Sequence, residues 1–229
     1  MSHSSASVVL VNYGSADDTI TAVRGLEGLD WPADRLEIVV VDNTPDGAEA
    51  STIAAACPGA KVVAAPRNLG FAGGCNLGVA SSTGDFVAFL NSDARPDARW
   101  LSAAVARINA DRTVGAVASK VLDWEGRTID FAAAAMAFDG QAYKLHVGAD
   151  DGPEFDEPHD VLFASGAALV MPRWLFDQLG GFDERYFMFF EDVDLGWRTW
   201  LSGHRVVYEP ASLVYHHHHV SMRSIHPAY

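Results

Sequence analysis

The sequence is poor in cysteine and in positive charge. Its two cysteines, Cys57 and Cys75, each lie in an apolar or glycine-rich context. Such scarcity is typical of a reducing compartment, where we expect two small buried thiols and no disulfide. Sixteen lysines and arginines stand against 30 aspartates and glutamates, so the formal net charge is -14. This acidity repels nucleic-acid phosphates and anionic membranes, and we expect neither as a general partner.

The sequence also lacks targeting and membrane-spanning features. Its first residues, MSHSSASVVLVNY, have neither the basic nor the apolar region of a signal peptide. No window approaches the roughly 18 to 20 uninterrupted apolar residues of a transmembrane helix. We therefore expect a cytoplasmic protein without a transmembrane segment. Because no repeat or linker is visible and 49% of the residues are hydrophobic, we expect one domain over residues 1–229.

The first half alternates between strand-like and helix-like segments. Apolar, β-branched runs of strand length are separated by segments with helical spacing. This alternation predicts βαβ units and an α/β fold, with a Rossmann-like, mainly parallel central sheet flanked by helices. The predicted strands are residues 7–12, 37–42, 61–65, 85–90 and 114–119, and the predicted helices are residues 17–29, 48–57, one near Asn76, and 98–111.

The second half is less regular. Residues 123–160 contain acidic residues, glycines and two prolines, and we expect irregular strands and a loop without an interpretable motif. The remaining predicted elements are a strand at residues 164–171, helices at 173–179 and 191–202, and short closing strands at 205–208 and 212–216.

Three predicted strands end in polar residues: Asn12, Asp42, and the triplet Asn91-Ser92-Asp93. In open parallel sheets, ligands bind beyond the carboxyl ends of the strands. A carboxylate at Asp42 could accept hydrogen bonds from a ribose or a base, although a turn-forming Asp-Asn pair is the commoner alternative. Asp93 suits Mg²⁺ or Mn²⁺, because these ions prefer hard oxygen ligands and bridge phosphates. For the triplet that contains Asp93, a simple turn is likewise the alternative interpretation.

A glycine-rich segment, residues 68–76, places Gly70, Gly73 and Gly74 just before a predicted helix. Glycines allow close backbone approach, and the free N–H groups of a helix start attract phosphate. The spacing matches neither the P-loop nor the GxGxxG fingerprint. A tight turn with close helix–sheet packing is an equally good interpretation.

The segment 180–196, GGFDERYFMFFEDVDLG, joins an aromatic run to three acids. We expect residues 186–190 to be buried and to carry Glu191 and Asp192 to the edge of a pocket. A carboxylate held there can take a proton from an acceptor hydroxyl. Acids at a helix start also complement the helix dipole, which is the role we expect of Asp194. For the pair Glu191–Asp192 we favour a functional role.

Four consecutive histidines, residues 216–219, follow the strand-like stretch SLVY. Neutral imidazole is a good ligand for divalent first-row metals. If His216 ends a strand near Asp93, the two side chains would form a mixed nitrogen and oxygen site, to which one or two histidines contribute. A solvated polar loop is the alternative interpretation.

Taken together, these segments resemble the inverting GT-A glycosyltransferases of family 2, particularly the bacterial rhamnosyl- and galactofuranosyltransferase-like branch. The matching text is VVLVNY, EIVVVDN, NLGFAGGCNLGVA, FLNSDARPD, SGAALVMPRWLFDQLGGFDERYFMFFEDVDLGWR and YHHHHVS, in this order over about residues 7–221. The resemblance implies the GT-A fold, a nucleotide-binding half at about residues 7–120 and an acceptor-binding, catalytic half at about 121–229. It further implies a dTDP- or UDP-sugar donor, a carbohydrate or lipid-linked glycan acceptor, and a role in cell-surface polysaccharide or glycoconjugate synthesis.

The resemblance also implies roles for individual residues. Asp192 matches the catalytic base, and Glu191 would contact the acceptor. The triplet at residues 91–93 occupies the position of the family's DXD motif, with Asn91 in place of the usual first Asp. The implied donor-binding residues are Asn12, Asp42, Asn68, Gly70, Asn76, Asn91, Ser92 and Asp93. The implied ligands of Mg²⁺ or Mn²⁺ are Asp93, His216 and His218, with His219 as a substitute.

Two other functions are compatible with parts of this pattern. A nucleotidyltransferase would show a basic, glycine-rich loop near the N-terminus, whereas VVLVNYGSADD is acidic. A catalytically silent sugar-nucleotide-binding domain would not need the Glu191–Asp192 pair. The transferase interpretation makes one spatial prediction, that Asp42, Asp93, Asp192 and His216 converge on one rim of the sheet.

Overall fold

The computed structural model describes residues 4–217. The strands are β1 (Ala6–Asn12), β2 (Leu36–Asp42), β3 (Lys61–Ala64), β4 (Phe86–Leu90), β5 (Ala94–Pro96), β6 (Val114–Asp123), β7 (Ile129–Phe131), β8 (Ala133–Met136), β9 (Ala142–Leu145), β10 (His159–Val161), β11 (Ala168–Pro172) and β12 (Arg205–His216). The helices are α1 (Ala16–Leu26), α2 (Ala50–Ala56), α3 (Gly70–Ala80), α4 (Trp100–Ala110), α5 (Arg173–Leu179) and α6 (Glu191–Leu201).

Ten strands form one sheet, in the order β10-β12-β6-β11-β4-β1-β2-β3, with β5 added to β12 and β7 added to β6. Strands β3, β2, β1 and β4 are parallel, and β12 is parallel to β6. Strand β11 is antiparallel to its neighbours β4 and β6. Strands β8 and β9 form a separate antiparallel hairpin. The predicted α/β class with a mainly parallel central sheet is therefore confirmed.

The central strands are apolar along their whole length because both of their faces are covered. All five residues of β4 are buried, and six of the seven residues of β1 are buried. Helix α1 buries Ile20, Val23 and Leu26 on one face, at the spacing expected of an amphipathic helix. The polar residues at the ends of these strands are therefore positioned by a well-packed core.

The topology brings distant polar residues to one edge of the sheet. Asn12 at the end of β1 lies in register with Asp42 at the end of β2. At the other side, His216 at the end of β12 pairs with Ala94 of β5, the residue that follows Asp93. The end of β12 thereby reaches the loop that follows β4, across 123 residues of sequence.

The glycine-rich segment does not precede a helix, as predicted, but forms its first two turns. Helix α3 begins at Gly70 and includes Gly73, Gly74 and Gly78. A Cβ on Gly74 would lie 2.9 Å from the side chain of Val11, and one on Gly78 would overlap the side chain of Val9. The glycines therefore allow α3 to pack directly on β1, which was the alternative interpretation of the segment.

Other differences from the predicted elements are smaller. The two short closing strands are one strand, β12, with a register shift between Glu209 and Leu213. The strand predicted to begin at Ala164 begins at Ala168, because residues 165–168 form a turn closed by Ala168 N–H and Ser165 C=O. Within residues 4–217, the longest helices have 11 residues, and none is long and apolar enough to cross a membrane.

Candidate active site at one edge of the sheet

Asp93 and His216 form the centre of the candidate site. His216 Nε2 lies 3.1 Å from Asp93 Oδ1 and 3.2 Å from Asn91 Nδ2, and both Asp93 and His216 are buried. The backbone N–H of His217 also donates to the Asp93 carbonyl. The predicted meeting of Asp93, Asn91 and His216 is thus present in the structure. Ser92 lies between them in sequence and is partly exposed, and His218 lies outside the described residues.

This pair fits a divalent cation as two of its ligands. Two ligands at right angles around an ion, each at roughly 2.1 Å, are roughly 3 Å apart, and Asp93 Oδ1 and His216 Nε2 are 3.1 Å apart. No group of three or more His, Cys, Asp or Glu suited to a metal ion occurs between residues 4 and 217. Any ion held here would therefore take its other ligands from elsewhere, such as diphosphate oxygens and water.

The two side chains influence each other's protonation. Burial raises the pKa of Asp93, but the hydrogen bond and the charge of His216 outweigh it, so the net pKa lies below the usual value. Burial lowers the pKa of His216, whereas Asp130 and Asp93 raise it, to about 9. A cation that binds His216 Nε2 would have to displace the proton that this nitrogen carries when the ring is charged.

Asp130 is a member of this cluster that the sequence did not reveal. Its Oδ2 lies 2.7 Å from His216 Nδ1, and its Oδ1 lies 3.0 Å from the ammonium group of Lys144. Asp130 is 1% exposed. Strand β7 reads IDF, and a carboxylate between two buried apolar residues has to be paired, which is the only signal that could have pointed to it.

Asp18 is a second residue that the sequence analysis did not assign to the site. It lies in the first turn of α1 and is partly buried. Burial raises the pKa of Asp18, and the charge of Asp93 raises it further. Asp18 therefore faces the Asp93 cluster and contributes further negative charge to this edge of the sheet.

Asp42 is held by an extensive network of hydrogen bonds. Its Oδ1 accepts hydrogen bonds from Asn12 Nδ2 and from the hydroxyl and N–H of Thr44, and its Oδ2 accepts one from the N–H of Glu49. Burial raises the pKa of Asp42, but these hydrogen bonds outweigh it and leave the pKa below its usual value. Both Asp42 and Asn12 are fully buried. In the described structure they fix the ends of β1 and β2.

Asn68 and Gly70 belong to a related network next to Asp42. Asn43 Nδ2 donates to Asn68 Oδ1 at 3.1 Å and to the Gly70 carbonyl at 2.9 Å, and Asn43 Oδ1 accepts the N–H of Leu69. Gly70 has a φ of +71°, and a Cβ there would overlap the backbone of Phe187. Glycine is required at this position because it combines a left-handed backbone with a close approach.

Asn76 does not join the Asp93 cluster. Its side chain accepts the N–H of Phe182 and donates to the Phe182 carbonyl and to Glu184. It lines an open groove of about 510 Å³ formed with residues 179–185 and Arg198. The structure therefore places Asn76 beneath the segment that leads to the acidic pair, and its predicted contact with the donor stays a prediction.

Asp192 is the more accessible member of the acidic pair at the start of α6. Its Oδ2 accepts the N–H of Gly166 at 2.9 Å, and its Oδ1 accepts the N–H of Val193 at 2.8 Å. Burial raises the pKa of Asp192, against these hydrogen bonds and the charge of Lys144, which lower it. Gly166 connects Asp192 to the loop that contains Asp93, because the carbonyl of the residue after Gly166, Ala167, accepts the N–H of Asn91.

Glu191 is buried rather than directed to solvent. It is 5% exposed, and its Oε2 has no hydrogen-bond partner within the described part of the chain. Burial, followed by the charge of Asp192, raises the pKa of Glu191 to about 7. In this conformation Asp192 and not Glu191 is accessible to an acceptor, so the predicted acceptor contact of Glu191 stays a prediction.

The prediction that the aromatic run buries this segment was wrong. Tyr186, Phe187, Phe189 and Phe190 are 42% to 53% exposed. The three phenylalanines have φ values of +58°, +71° and +69°, in the left-handed region that phenylalanine rarely adopts. This backbone turns the chain sharply before α6 and directs the rings outward. The segment is anchored instead by the buried ring of Phe182.

The site is thus built from both halves of the chain. Asp93, Asn91 and His216 are in contact, residues 166–167 connect them to Asp192, and the charge of Lys144 acts on Asp192. Asn12 and Asp42 lie at the same edge of the sheet, at the ends of β1 and β2, the first and second strands beyond β4. A cation site beside a partly exposed carboxylate could bind a phosphorylated ligand and remove a proton from a second molecule.

Known proteins share this sequence pattern. The family profile described as Glycosyl transferase family 2 matches residues 7–176. The chain is 32% identical over 224 residues to the pre-mycofactocin glycosyltransferase of Mycobacterium tuberculosis, an alignment that covers 97% of this chain and 44% of that protein. A stretch of 53 residues, 23% of this chain and 17% of the relative, is 55% identical to the N-acetylglucosaminyl-diphospho-decaprenol L-rhamnosyltransferase of the same organism. The chain spans less than half the length of the first of these relatives.

Solved structures share the fold. The crystal structure of GalNAc-T7 with UDP, GalNAc and Mn²⁺ matches with a TM-score of 0.77 at 19% sequence identity, over 95% of this chain and 44% of that chain. At this identity the similarity concerns the fold. It confirms the predicted GT-A fold, with the Rossmann-like sheet described above.

Proposed function

The chain belongs to glycosyl transferase family 2, and on that premise we propose that it is a metal-dependent, inverting glycosyltransferase. Its donor would be a dTDP- or UDP-sugar, and its acceptor a hydroxyl of a carbohydrate or a lipid-linked glycan. The observation that carries the proposal is the contact between Asp93 and His216, joined through residues 166–167 to the Asp192 carboxylate. On this proposal, a cation site and a base would lie on one edge of the sheet.

The donor would be bound through the diphosphate. Asp93 and His216 would hold Mg²⁺ or Mn²⁺, which, when bound, neutralises charge that develops on the leaving diphosphate. The net charge of -14 supports such a cation, because a diphosphate needs either a local cationic group or a bound divalent metal. Asn12, Asp42, Asn68 and Gly70 would contribute mainly by fixing the strand ends and the start of α3 around the nucleotide.

Asp192 would act as the general base. Its Oδ2 is fixed by the N–H of Gly166, and burial strengthens it as a base by raising its pKa. The acceptor oxygen would form a bond to the anomeric carbon while its proton passes to Asp192, and the bond from that carbon to the diphosphate oxygen would break. Attack from the face opposite the leaving group inverts the configuration at the anomeric carbon.

The two halves of the single domain would have different functions. Residues 7–120 would bind the donor, and residues 121–229 would bind the acceptor and supply the base. We propose a carbohydrate acceptor in the synthesis of cell-surface polysaccharide or glycoconjugate. The relative that acts on N-acetylglucosaminyl-diphospho-decaprenol, as its name states, supports a lipid-linked acceptor of this kind.

The proposal is tested by incubating the purified chain with UDP- and dTDP-hexoses in Mn²⁺, in Mg²⁺ and in EDTA. We expect slow, metal-dependent release of the nucleoside diphosphate, which accelerates when a matching acceptor is added. Transfer would also exclude a silent binding domain, and the absence of nucleoside triphosphate consumption would exclude a nucleotidyltransferase. Stabilisation by nucleotide without release from any donor would contradict the proposal.

A further inference from the structure

The ion pairs of the site continue from Asp93 and His216 to Asp130 and Lys144. Asp93 Oδ1 lies 3.1 Å from His216 Nε2, His216 Nδ1 lies 2.7 Å from Asp130 Oδ2, and Asp130 Oδ1 lies 3.0 Å from Lys144 Nζ. Asp130 lies in β7, which pairs with β6, and Lys144 lies in the β8–β9 hairpin. Four alternately charged groups therefore form one continuous row from the cation site to the hairpin.

Each nitrogen of the His216 ring faces a different carboxylate. A metal-binding histidine commonly donates its other ring N–H to a carboxylate, which fixes the tautomer and the orientation of the ring. Asp130 is placed to accept the Nδ1 proton, because it is buried and lies at short hydrogen-bond distance. With Nδ1–H engaged in this way, Nε2 is directed toward Asp93, and its lone pair becomes available to a cation once the Nε2 proton is displaced.

Lys144 gives Asp130 its charge partner. A buried carboxylate beside an imidazole needs compensation, and the Lys144 ammonium supplies it from a side chain that is 30% exposed. The same lysine lowers the pKa of Asp192, which burial otherwise raises. Lys144 therefore lies within electrostatic range of both the proposed metal ligand and the proposed base.

We propose that Asp130 is a positioning residue that fixes the His216 ring with Nε2 toward Asp93, and that Lys144 holds Asp130 in this geometry. The inference rests on the proposed function, because it gives His216 a cation to bind. The β8–β9 hairpin would then contribute to the cation site, because it carries Lys144, which holds Asp130 in place.

A second lysine that pairs with carboxylates in this half of the chain provides the comparison. Lys120 is buried and pairs with Asp151 at 2.6 Å and with Asp156 at 3.1 Å, in the same half of the chain. The structure shows no histidine in these pairs. Asp156→Asn removes one carboxylate from a lysine pair that contacts no described histidine, so it separates the loss of a negative charge from a loss of histidine orientation.

The experiment measures the affinity for Mn²⁺, from the free-ion signal in electron paramagnetic resonance, at a fixed concentration of UDP or dTDP, whichever raises the melting temperature more. We expect Asp130→Asn to weaken Mn²⁺ binding roughly 10- to 100-fold, Lys144→Met to weaken it severalfold, and Asp156→Asn to leave it unchanged. In a double-mutant cycle, Asp130→Asn should cause no further loss once His216→Ala is present, because Asp130 acts through His216.

The outcomes separate this inference from the proposed function. If His216→Ala weakens Mn²⁺ binding but Asp130→Asn does not, the inference is wrong and the proposed metal site stands. An equal loss from Asp130→Asn with and without His216 would also overturn the inference, because Asp130 would then act independently. If wild type and His216→Ala bind Mn²⁺ alike, the proposed metal site and the inference both fail. Should Asp130→Asn not fold, Lys144→Met decides: severalfold weaker binding supports the inference, and unchanged binding overturns it.

Discussion

Asp42 and Glu191 are both buried acids near the proposed donor and acceptor sites, yet their surroundings are opposite. Asp42 accepts four hydrogen bonds, which hold its pKa below the usual value although burial opposes them. Glu191 has one oxygen without a partner in the described residues, and burial raises its pKa to about 7. The proposed donor side is thus built from groups with hydrogen-bond partners, and the proposed catalytic side contains a carboxylate oxygen that has none among the described residues.

The backbone shows the same contrast. The ends of β1 and β2 are regular and lie in register, whereas three phenylalanines with positive φ lead into α6. Left-handed conformations of such residues are costly and persist where surrounding structure enforces them, often at functional sites. The comparison shows that the proposed donor side has a regular, hydrogen-bonded backbone. The buried group without a hydrogen-bond partner and the strained residues are concentrated where we place the acid–base chemistry.

Asp192→Asn should show the largest difference between the two regions, because it should affect sugar transfer and not nucleotide binding. Removing the base should lower the rate of sugar transfer by roughly 10³-fold, and the affinity for the nucleoside diphosphate should stay at the wild-type value. Asp194→Asn is the matched control, because Asp194 lies on the same helix and pairs with Arg198 away from Asp93. Steady-state transfer and calorimetric titration check both. Wild-type turnover of Asp192→Asn would remove the base assignment, and a joint loss of nucleotide binding would break the comparison.

Phe182 and Phe189 test which aromatic side chain anchors the catalytic segment. Phe182 is 2% exposed and packs on the rings of Phe89 and Phe176, so Phe182→Ala should lower the free energy of unfolding by about 3 to 5 kcal/mol. Phe189 is 53% exposed, and Phe189→Ala should change that free energy by less than about 1 kcal/mol. Urea denaturation provides the measurement. Comparable losses in the two variants would contradict the exposed placement of the aromatic run.

The sequence predicted the donor side well because its signals are local. Strands β1, β2 and β4 are continuous apolar runs, and the polar residues that end them lie at strand ends in any parallel sheet. The contact of Asp93 with His216 followed from the same reasoning, once a strand was expected to end at His216. The boundaries of these elements were accordingly predicted to within a few residues.

The catalytic side was predicted less well because its arrangement depends on distant contacts. The exposure of residues 186–190 follows from positive φ values, which no sequence pattern of phenylalanines indicates. Asp130 acquires its role only because β7 pairs with β6 beside the end of β12, and Lys144 because a hairpin folds back over Asp130. The glycines of α3 were misplaced for the same reason, since Gly74 and Gly78 fit against β1 and Gly70 fits against Phe187.

Asp93→Ala tests whether the Asp93 carboxylate binds the ligand directly, in contrast to Asp42, whose two oxygens accept four hydrogen bonds within the protein. We expect the Mn²⁺-dependent part of nucleotide affinity to fall roughly 100-fold, with the metal-independent part unchanged. Asp123→Asn is the control, because Asp123 lies opposite His216 in the sheet and accepts the N–H groups of Arg127 and Thr128. The measurement is a nucleotide titration with Mn²⁺ and with EDTA. Equal affinities of Asp93→Ala and wild type in Mn²⁺ would remove the metal role of Asp93.

Glu191→Gln tests the unsatisfied carboxyl through the pH dependence of stability. Because the folded pKa is about 7 and the ordinary value is 4.5, the folded state retains a proton that the unfolded state releases between these values. The stability that Glu191 contributes is therefore complete below about pH 4.5 and is lost as the pH rises through 7. The loss should be on the order of 1 to 3 kcal/mol, and Glu191→Gln, which cannot ionise, should not show it.

Asp42 should behave in the opposite direction, which sharpens the comparison. Its pKa is lowered, so its contribution is present above the ordinary value and is lost on acidification. Urea denaturation of wild type, Glu191→Gln and Asp42→Asn at several pH values from about 2 to 8 measures both effects, with the exposed residue Glu125→Gln as a control that keeps the wild-type dependence. If Glu191→Gln loses stability between pH 5 and 8 as wild type does, the ionisation of Glu191 does not cause the loss. The contrast between its raised pKa and the lowered pKa of Asp42 would then fail.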